Sequence, residues 1–491
     1  MATQGKQLDV ICLGRIAVDF YAQQIGARLE EASTFSKYIG GSSGNVAYGT
    51  AIQGLKSSML ARVGDEHMGR FLREELQRVG ADTHSLITDP QHLTGLVILG
   101  IKDQETFPLI FYRENCADMA LTPDDIDESY IASSRALAIT GTHLSHPNTR
   151  AAVLKALEYA SRHGLRTVLD IDYRPVLCGL TSLGDGETRF VESAKVTREL
   201  QEVLHHFDLI VGTEEEFHIA GGSIDALSAL TNVRKATQAT LGCKRGVQGC
   251  SVFEAEIAAD WQQVKLHAGV RVEVLNVLGA GDAFMSGLLR GYLNDEGWDQ
   301  ACRYANACGA LVVSRHGCAP AMPSKQELDD YLQREQEVKR PDCDERLINT
   351  TGQFAQPIGV NLAVFTDDQR RQFVTMLFQQ RLKIEHDARP AQRCGARPVG
   401  KSLVSHVNGL LHLRGSALCD AAFNLPGSRV MHIDGLIAAA QAHLPTNKVT
   451  RGFHVSPSFK AVVARSPAAL SAGGSVFITP LVGEPHKQAQ S

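Results

Sequence analysis

The chain has 491 residues, a length that points to two or three domains rather than one. A hydrophobic content of 44% with 21% charged residues describes a globular chain, and no apolar run reaches the ~18–20 residues that a bilayer span requires. The net charge of −5 is unevenly divided, with 34 Lys+Arg against 47 Asp+Glu in residues 1–349 and 15 against 7 in residues 350–491.

The basic residues of the second part are dispersed and carry no recognition motif, so neither nucleic acid nor membrane is an expected partner. The N-terminus MATQGKQLDV has no apolar signal core, and a cytoplasmic location is expected. Eleven cysteines are scattered without a CxxC pair or zinc-like Cys/His spacing, which predicts reduced, buried thiols.

In chain order, Asp9–Gly14 (DVICLG) reads as a buried strand. The run Gly40-Gly41-Ser42-Ser43-Gly44-Asn45 follows. Its glycines permit close backbone approach to a ligand, and Asn45 both donates and accepts hydrogen bonds, which suits a polyhydroxylated substrate as well as a plain loop. Met68, Phe71, Leu72, Leu76 and Val79 recur near 3.6-residue spacing, predicting a helix over Val63–Gly80. The apolar segments GLVILGI (Gly95–Ile101) and PLIFY (Pro108–Tyr112), separated by KDQET, predict a hairpin.

Strands then alternate with helices. Ala136–Thr140 precedes a helix near Asn148–His163, Thr167–Ile171 one near Ala194–His205, and Asp208–Val211 a third. This alternation predicts an α/β fold with a doubly wound, mostly parallel sheet, whose ligands lie at the carboxyl ends of the strands. Asp172 and Arg174 fall there, as do Glu214–Glu216.

The most informative stretch is Asn276–Phe284 (NVLGAGDAF). Gly279, Ala280 and Gly281 lead into Asp282 and then an apolar helix. Such a turn can hold an anion on backbone N–H groups at a helix N-terminus, with Asp282 facing a neighbouring hydroxyl. That is what phosphoryl transfer to an alcohol needs, although a glycine turn with a capping aspartate looks the same in isolation. The helix N-terminus is expected to depress the pKa of Asp282.

Taken together, the GG-x-x-x-N motif and the later GAGD resemble the PfkB/ribokinase family of sugar kinases, over roughly Asp9–Pro323. The resemblance implies a ribokinase-like fold with a small β lid, ATP and Mg2+ as cofactors, and Asp282 as catalytic base. It implies sugar binding by Asp19, Gly41 and Asn45. Arg62–Gly69 resembles the family's V-G-D-D-x-x-G. Thr213–Glu216 stands where the family has N-x-x-E, which helps organise magnesium; Thr213 replaces the Asn, so only Glu216 carries over. Lys244, Gly246 and Gly249 resemble the nucleotide-side loop, and Asn306 matches a residue lining the purine pocket.

Within the family, the stretches DVICLGRIAVDFYAQQIG, TFPLIFYRENCADMAL, TVLDIDYRPVL and LNVLGAGDAFMSGLLRG point to the sugar-acid kinases of inositol catabolism. A carboxylate substrate calls for a guanidinium in the pocket, and Arg113 and Arg174 are the candidates. Either could instead serve a structural ion pair, with Asp118 or Asp170 for example. The partners implied are a small sugar acid and ATP, and a homodimer formed through the lid is left open.

A dehydrogenase is the enzymatic rival, but no G-x-G-x-x-G follows the first strand. A sugar-sensing protein without turnover is the other, and the retained Asp282 argues against it. The expected domains are a kinase domain over 8–325, a linker over 326–349 after a final helix, and an uncertain region over 350–491. Some relatives carry a C-terminal aldolase-like barrel, but 350–491 is shorter than the ~200–250 residues such barrels take. A truncated, divergent or frame-shifted remnant is one reading of this region and a small unnamed domain another.

Overall fold

The computed structural model describes residues 6–103, 106–335, 337–344 and 346–347, all within one compact unit spanning Met1–Gly352. The expectations for residues 350–491 lie outside the described residues.

In chain order, strands β1 (Leu8–Leu13), β2 (Ala17–Ala22) and β3 (Phe35–Gly40) precede helix α1 (Ser42–Ile52). Next come β4 (Ser57–Gly64), α2 (His67–Arg78), β5 (Leu86–Asp89), β6 (Leu96–Leu99) and β7 (Leu109–Tyr112). The alternating part follows: α3 (Glu128–Ala132), β8 (Ser134–Thr140), α4 (Pro147–Arg162), β9 (Arg166–Asp170), α5 (Ala194–Gln201), β10 (Leu209–Thr213), α6 (Glu214–Gly221) and α7 (Ala226–Ala236). The last elements are β11 (Thr240–Lys244), β12 (Gly249–Phe253), β13 (His267–Ala268), α8 (Ala280–Leu293), α9 (Gly297–Val313) and α10 (Lys325–Arg334).

Nine strands form one sheet in the order β13-β12-β11-β10-β9-β8-β1-β4-β5. It is parallel from β11 through β5, with β12 and β13 antiparallel at one edge. Helices cover its faces, so its central strands read as continuous apolar runs rather than alternating ones. Val10, Ile11 and Leu13 of β1, and Leu209, Ile210 and Val211 of β10, have no exposed surface. This is the doubly wound α/β architecture expected from the alternation.

A second sheet of four strands, β3-β2-β6-β7, forms the lid. The β6–β7 hairpin is antiparallel as expected, and β2 adds to β6 in parallel, with Asp19 opposite Val97. The helix expected from Val63 begins only at His67, because Val63 and Gly64 end β4. Glu66 caps it by accepting from the N–H groups of Met68 and Gly69, and its apolar face buries Leu72 and Leu76. The motif Ser42–Asn45 lies in the first turn of α1 rather than in a loop. In the stretch after Pro323, α10 docks through Leu328 and Tyr331, and its buried Glu327 pairs with Arg315.

Candidate active site

The carboxyl end of β1 and the N-termini of α1 and α8 meet beneath the lid. Gly41 opens α1 with φ of +84°, and a Cβ there would lie 2.6 Å from the Arg15 carbonyl oxygen. Only glycine relaxes both constraints at once. Asn45, one turn in, points across to α8, where its Nδ2 donates to Asp282 Oδ2 at 2.8 Å. Two motifs 237 residues apart in sequence are thereby joined.

Gly279 caps α8 in the left-handed conformation, with φ of +78°, and no side chain caps this end. The first-turn N–H groups therefore remain available to an anion, with the positive end of the helix dipole behind them. A Cβ at Gly281 would lie 3.5 Å from Lys244 Nζ, so a cation stands beside the Gly279-Ala280-Gly281 turn. This cradle fits a phosphate.

Asp282 departs from expectation in one respect. The helix N-terminus was expected to depress its pKa, yet burial pushes it up to about 6, and the nearby Asp172 pushes in the same direction. The hydrogen bond from Asn45 opposes that rise without cancelling it. Desolvation outweighs the helix dipole because the carboxylate sits inside the cleft rather than at a wet helix end. The Cys318 thiol donates to the same Oδ2 from 3.7 Å. A carboxylate titrating near 6 is a competent base at neutral pH.

Asp19, on lid strand β2, faces the same cleft. It is 8% exposed, its Oδ1 has no hydrogen-bond partner, and burial pushes its pKa up to about 7. Asn45 Oδ1 is likewise buried without a partner. These oxygens are what a hydroxylated ligand would satisfy.

The nominated cations are each paired with a carboxylate. Arg113, proposed for the substrate, donates from Nε at 2.8 Å and Nη2 at 2.5 Å to Asp118 Oδ2, and both side chains are buried. Its guanidinium is thus held by the structural ion pair weighed as the alternative. Arg174 lies 3.0 Å from Asp172 and 3.8 Å from Glu216. Asp172 adopts φ of +37°, a strained value for a non-glycine residue, at the end of β9. Burial alone would raise its pKa, but Arg174 and Arg15 hold it below the usual carboxylate range.

Lys244 Nζ sits 3.0 Å from Asp170 and 3.6 Å from Glu216. Burial disfavours its charge, but Asp170 and Glu216 more than restore it and raise its pKa. Glu216 accepts from the Thr213 N–H at 2.7 Å in a capping box at the start of α6. Its other oxygen faces Arg174. Among the described residues, no group of three His, Cys, Asp or Glu is arranged to hold a metal. A Mg2+ carried mainly on phosphate and water needs few protein donors, and Glu216 is a carboxylate that could face it.

Gly246, Gly249 and Asn306 lie around the β12–β13 edge. Gly246 and Gly249 have φ of +55° and +113°. The Asn306 amide donates to the carbonyls of His267 and Ala268, both at 3.0 Å.

Sequence reasoning missed Arg15 and Cys318, and it placed Asp170 only as a possible partner for an arginine. For Arg15 a signal existed, since an arginine interrupts the apolar run around LGRIAVDF.

The sequence pattern described as "pfkB family carbohydrate kinase" matches residues 7–325. A 5-dehydro-2-deoxygluconokinase of Halalkalibacterium halodurans is 31% identical over 337 residues, covering 68% of this chain and 97% of that protein. The Bacillus subtilis enzyme of that name is 31% identical over 333 residues (67% and 97%). That of Geobacillus kaustophilus is 33% identical over 343 residues (67% and 95%). Among solved structures, an Escherichia coli protein described as ribokinase II, in complex with ATP and Mg2+, superimposes with a TM-score of 0.57 at 22% identity. It covers 67% of this chain and 99% of its own. A fructokinase of Xylella fastidiosa with bound ATP gives 0.56 at 19% identity (67% and 99%). At these identities the solved structures establish the fold, a ribokinase-like one. No helix among the described residues is long and apolar enough to cross a membrane.

Proposed function

The chain belongs to the PfkB family of carbohydrate kinases, and from that premise we propose that it phosphorylates 5-dehydro-2-deoxygluconate at its 6-hydroxyl, using ATP. The observation that carries this reading is the Asn45–Asp282 contact at the mouth of an uncapped helix N-terminus. The substrate hydroxyl lies between Asp282 and the γ-phosphoryl group. Its oxygen forms the new bond to phosphorus, the bond from phosphorus to the β–γ bridging oxygen breaks, and ADP leaves. The hydroxyl proton passes to Asp282.

In this reading the first-turn N–H groups of Gly279, Ala280 and Gly281 hold the transferring phosphoryl group, and Lys244 adds positive charge beside them. Magnesium on the polyphosphate, near Glu216, would supply charge neutralisation. Asp19, Gly41 and Asn45 bind the sugar's hydroxyls. Arg174 shapes the wall of the site, and Arg113 positions the end of the lid through Asp118 rather than touching the sugar. Gly246, Gly249 and Asn306 form the far wall of the nucleotide site. The lid excludes water, which protects ATP from hydrolysis. Tyr112, 55% exposed on lid strand β7, is a surface through which the lid could pair in a homodimer.

The test is a coupled ADP-release assay on purified protein with ATP and magnesium. It compares 5-dehydro-2-deoxygluconate, 2-dehydro-3-deoxygluconate, ribose and fructose. Selective turnover of the first is expected. Preference for another acceptor would overturn the substrate while leaving the Asp282 chemistry standing.

A further inference from the structure

An acidic substrate needs a cation, and three of the cations around the cleft are already paired. Arg113 is bound to Asp118, Arg174 to Asp172, and Lys244 to Asp170. Arg15 is different. It follows β1 at the base of the lid and is 7% exposed. Its buried Nε has no hydrogen-bond partner, and no carboxylate lies within ion-pair distance of it among the described residues. Its guanidinium carbon lies 5.6 Å from the centre of the Phe111 ring on lid strand β7. Asp19, Asp172, Arg113 and Arg174 all act on it electrostatically, which places it inside the cleft.

A buried guanidinium without a carboxylate is costly, and proteins almost always pair one. The unsatisfied acceptors beside it, Asp19 Oδ1 and Asn45 Oδ1, suit hydroxyl groups. Arg15 Nε is the matching unsatisfied donor. Building on the kinase reading above, we infer that Arg15 is the receptor for the carboxylate of the sugar acid and sets the preference for acids over neutral sugars. The Phe111 ring keeps the guanidinium fork oriented beneath the lid, so the lid strand and the carboxylate approach the same side chain. The sugar is then held between Arg15 and Asp282, with its carboxylate remote from the reacting hydroxyl.

A second guanidinium, Arg189, also lacks a carboxylate partner among the described residues and lies over Phe107, 5.1 Å away. It stands on the irregular segment between residues 179 and 193, half-buried, and Asp172, Glu216 and Asp282 act on it electrostatically, so it too faces the cleft. It is therefore the natural comparison.

The experiment measures kcat and KM of the full chain for 5-dehydro-2-deoxygluconate and for the amide made from its carboxylate. The proteins are wild type, Arg15→Met, Arg15→Lys and Arg189→Met, and ATP KM and melting temperature are followed alongside. Arg15→Met should raise KM for the acid about 100-fold and leave KM for the amide and for ATP within about two-fold. Arg15→Lys should recover part of the loss, since it keeps the charge but not the fork. Without substrate, Arg15→Met should melt no lower than wild type, because an unpaired buried charge has been removed.

Three results overturn the assignment to Arg15 while the kinase reading stands. One is an acid preference that survives in Arg15→Met. Another is a preference lost in Arg189→Met alone. The third is a lower melting temperature with equal loss for acid and amide, which marks a structural role. Wild-type turnover of neutral sugars but of no acid would overturn the substrate reading and Arg15 together.

Discussion

Replacing Asp282 by Asn separates catalysis from stability, and the structure gives the sign of both effects. The carboxyl is raised from 3.8 to about 6 by burial. In the unfolded chain it loses its proton near its ordinary value. Between those two values the folded state binds more protons, so stability falls as pH rises through that window and stays at the lower level above it. The full rise corresponds to roughly 3 kcal/mol. The carboxylate borders the open cleft, so solvent screening reduces this to about 1.5 kcal/mol. Asn carries no charge, and its side-chain oxygen can still accept from Asn45 Nδ2. The variant should therefore match wild type near pH 4 and exceed it by about 1.5 kcal/mol, or about 3 °C, at pH 7. Its turnover should fall about 1000-fold with ATP KM unchanged. Denaturation curves at half-unit steps from pH 4 to 8, run beside the ADP-release assay, measure both. A stability difference that does not change with pH would refute the desolvation argument, and near-normal turnover would refute the assignment of the base.

Asn45→Ala removes a hydrogen bond that lowers the Asp282 pKa, so the acid limb of the kcat/KM profile should move to higher pH; an unmoved limb would disconnect the two residues. Gly279→Ala places a Cβ 2.3 Å from Cys318 Sγ at a φ of +78°. It should cost roughly 1–2 kcal/mol in backbone strain alone and lower kcat, read by urea denaturation and by turnover. Asp118→Asn leaves Arg113 buried without a carboxylate and should destabilise by about 3–5 kcal/mol at neutral pH. If its effect fell instead on KM for the sugar with stability intact, Arg113 would be a substrate ligand after all.

The main sheet was legible because its physics is local. Continuous apolar runs such as Asp208–Val211, alternating with helical periodicity, mark strands buried on both faces. The β6–β7 hairpin was legible for the same reason. The lid as a whole was not, because β2 pairs with β6 in parallel across most of the first hundred residues, and the segment Ala17–Ala22 carries no signal of its own beside β1. The start of α2 was misplaced because Val63 is apolar in both the strand and the helical pattern.

In the site, motif spacing located Gly41, Asn45, Gly279 and Asp282, since a glycine turn ahead of an apolar helix has a mechanical reason to exist. The pKa of Asp282 was misjudged because a helix N-terminus is visible in sequence and desolvation is not.

The sequence by itself determined the order of strands and helices, the glycine turn that presents an anion cradle, and the presence of a carboxylate at its mouth. These follow from backbone sterics and hydrophobic periodicity, which act over a few residues. Only the tertiary structure decided how the charges are paired. Arg113 met Asp118 five residues away, whereas Lys244 met Asp170 across 74. Arg15 met no carboxylate within ion-pair distance among the described residues. Ion pairing depends on distances of a few ångströms between side chains brought together by the fold, and on the local exclusion of water. Neither quantity is written in a linear pattern, which is why the arginines nominated from sequence proved to be paired while Arg15 had gone unremarked.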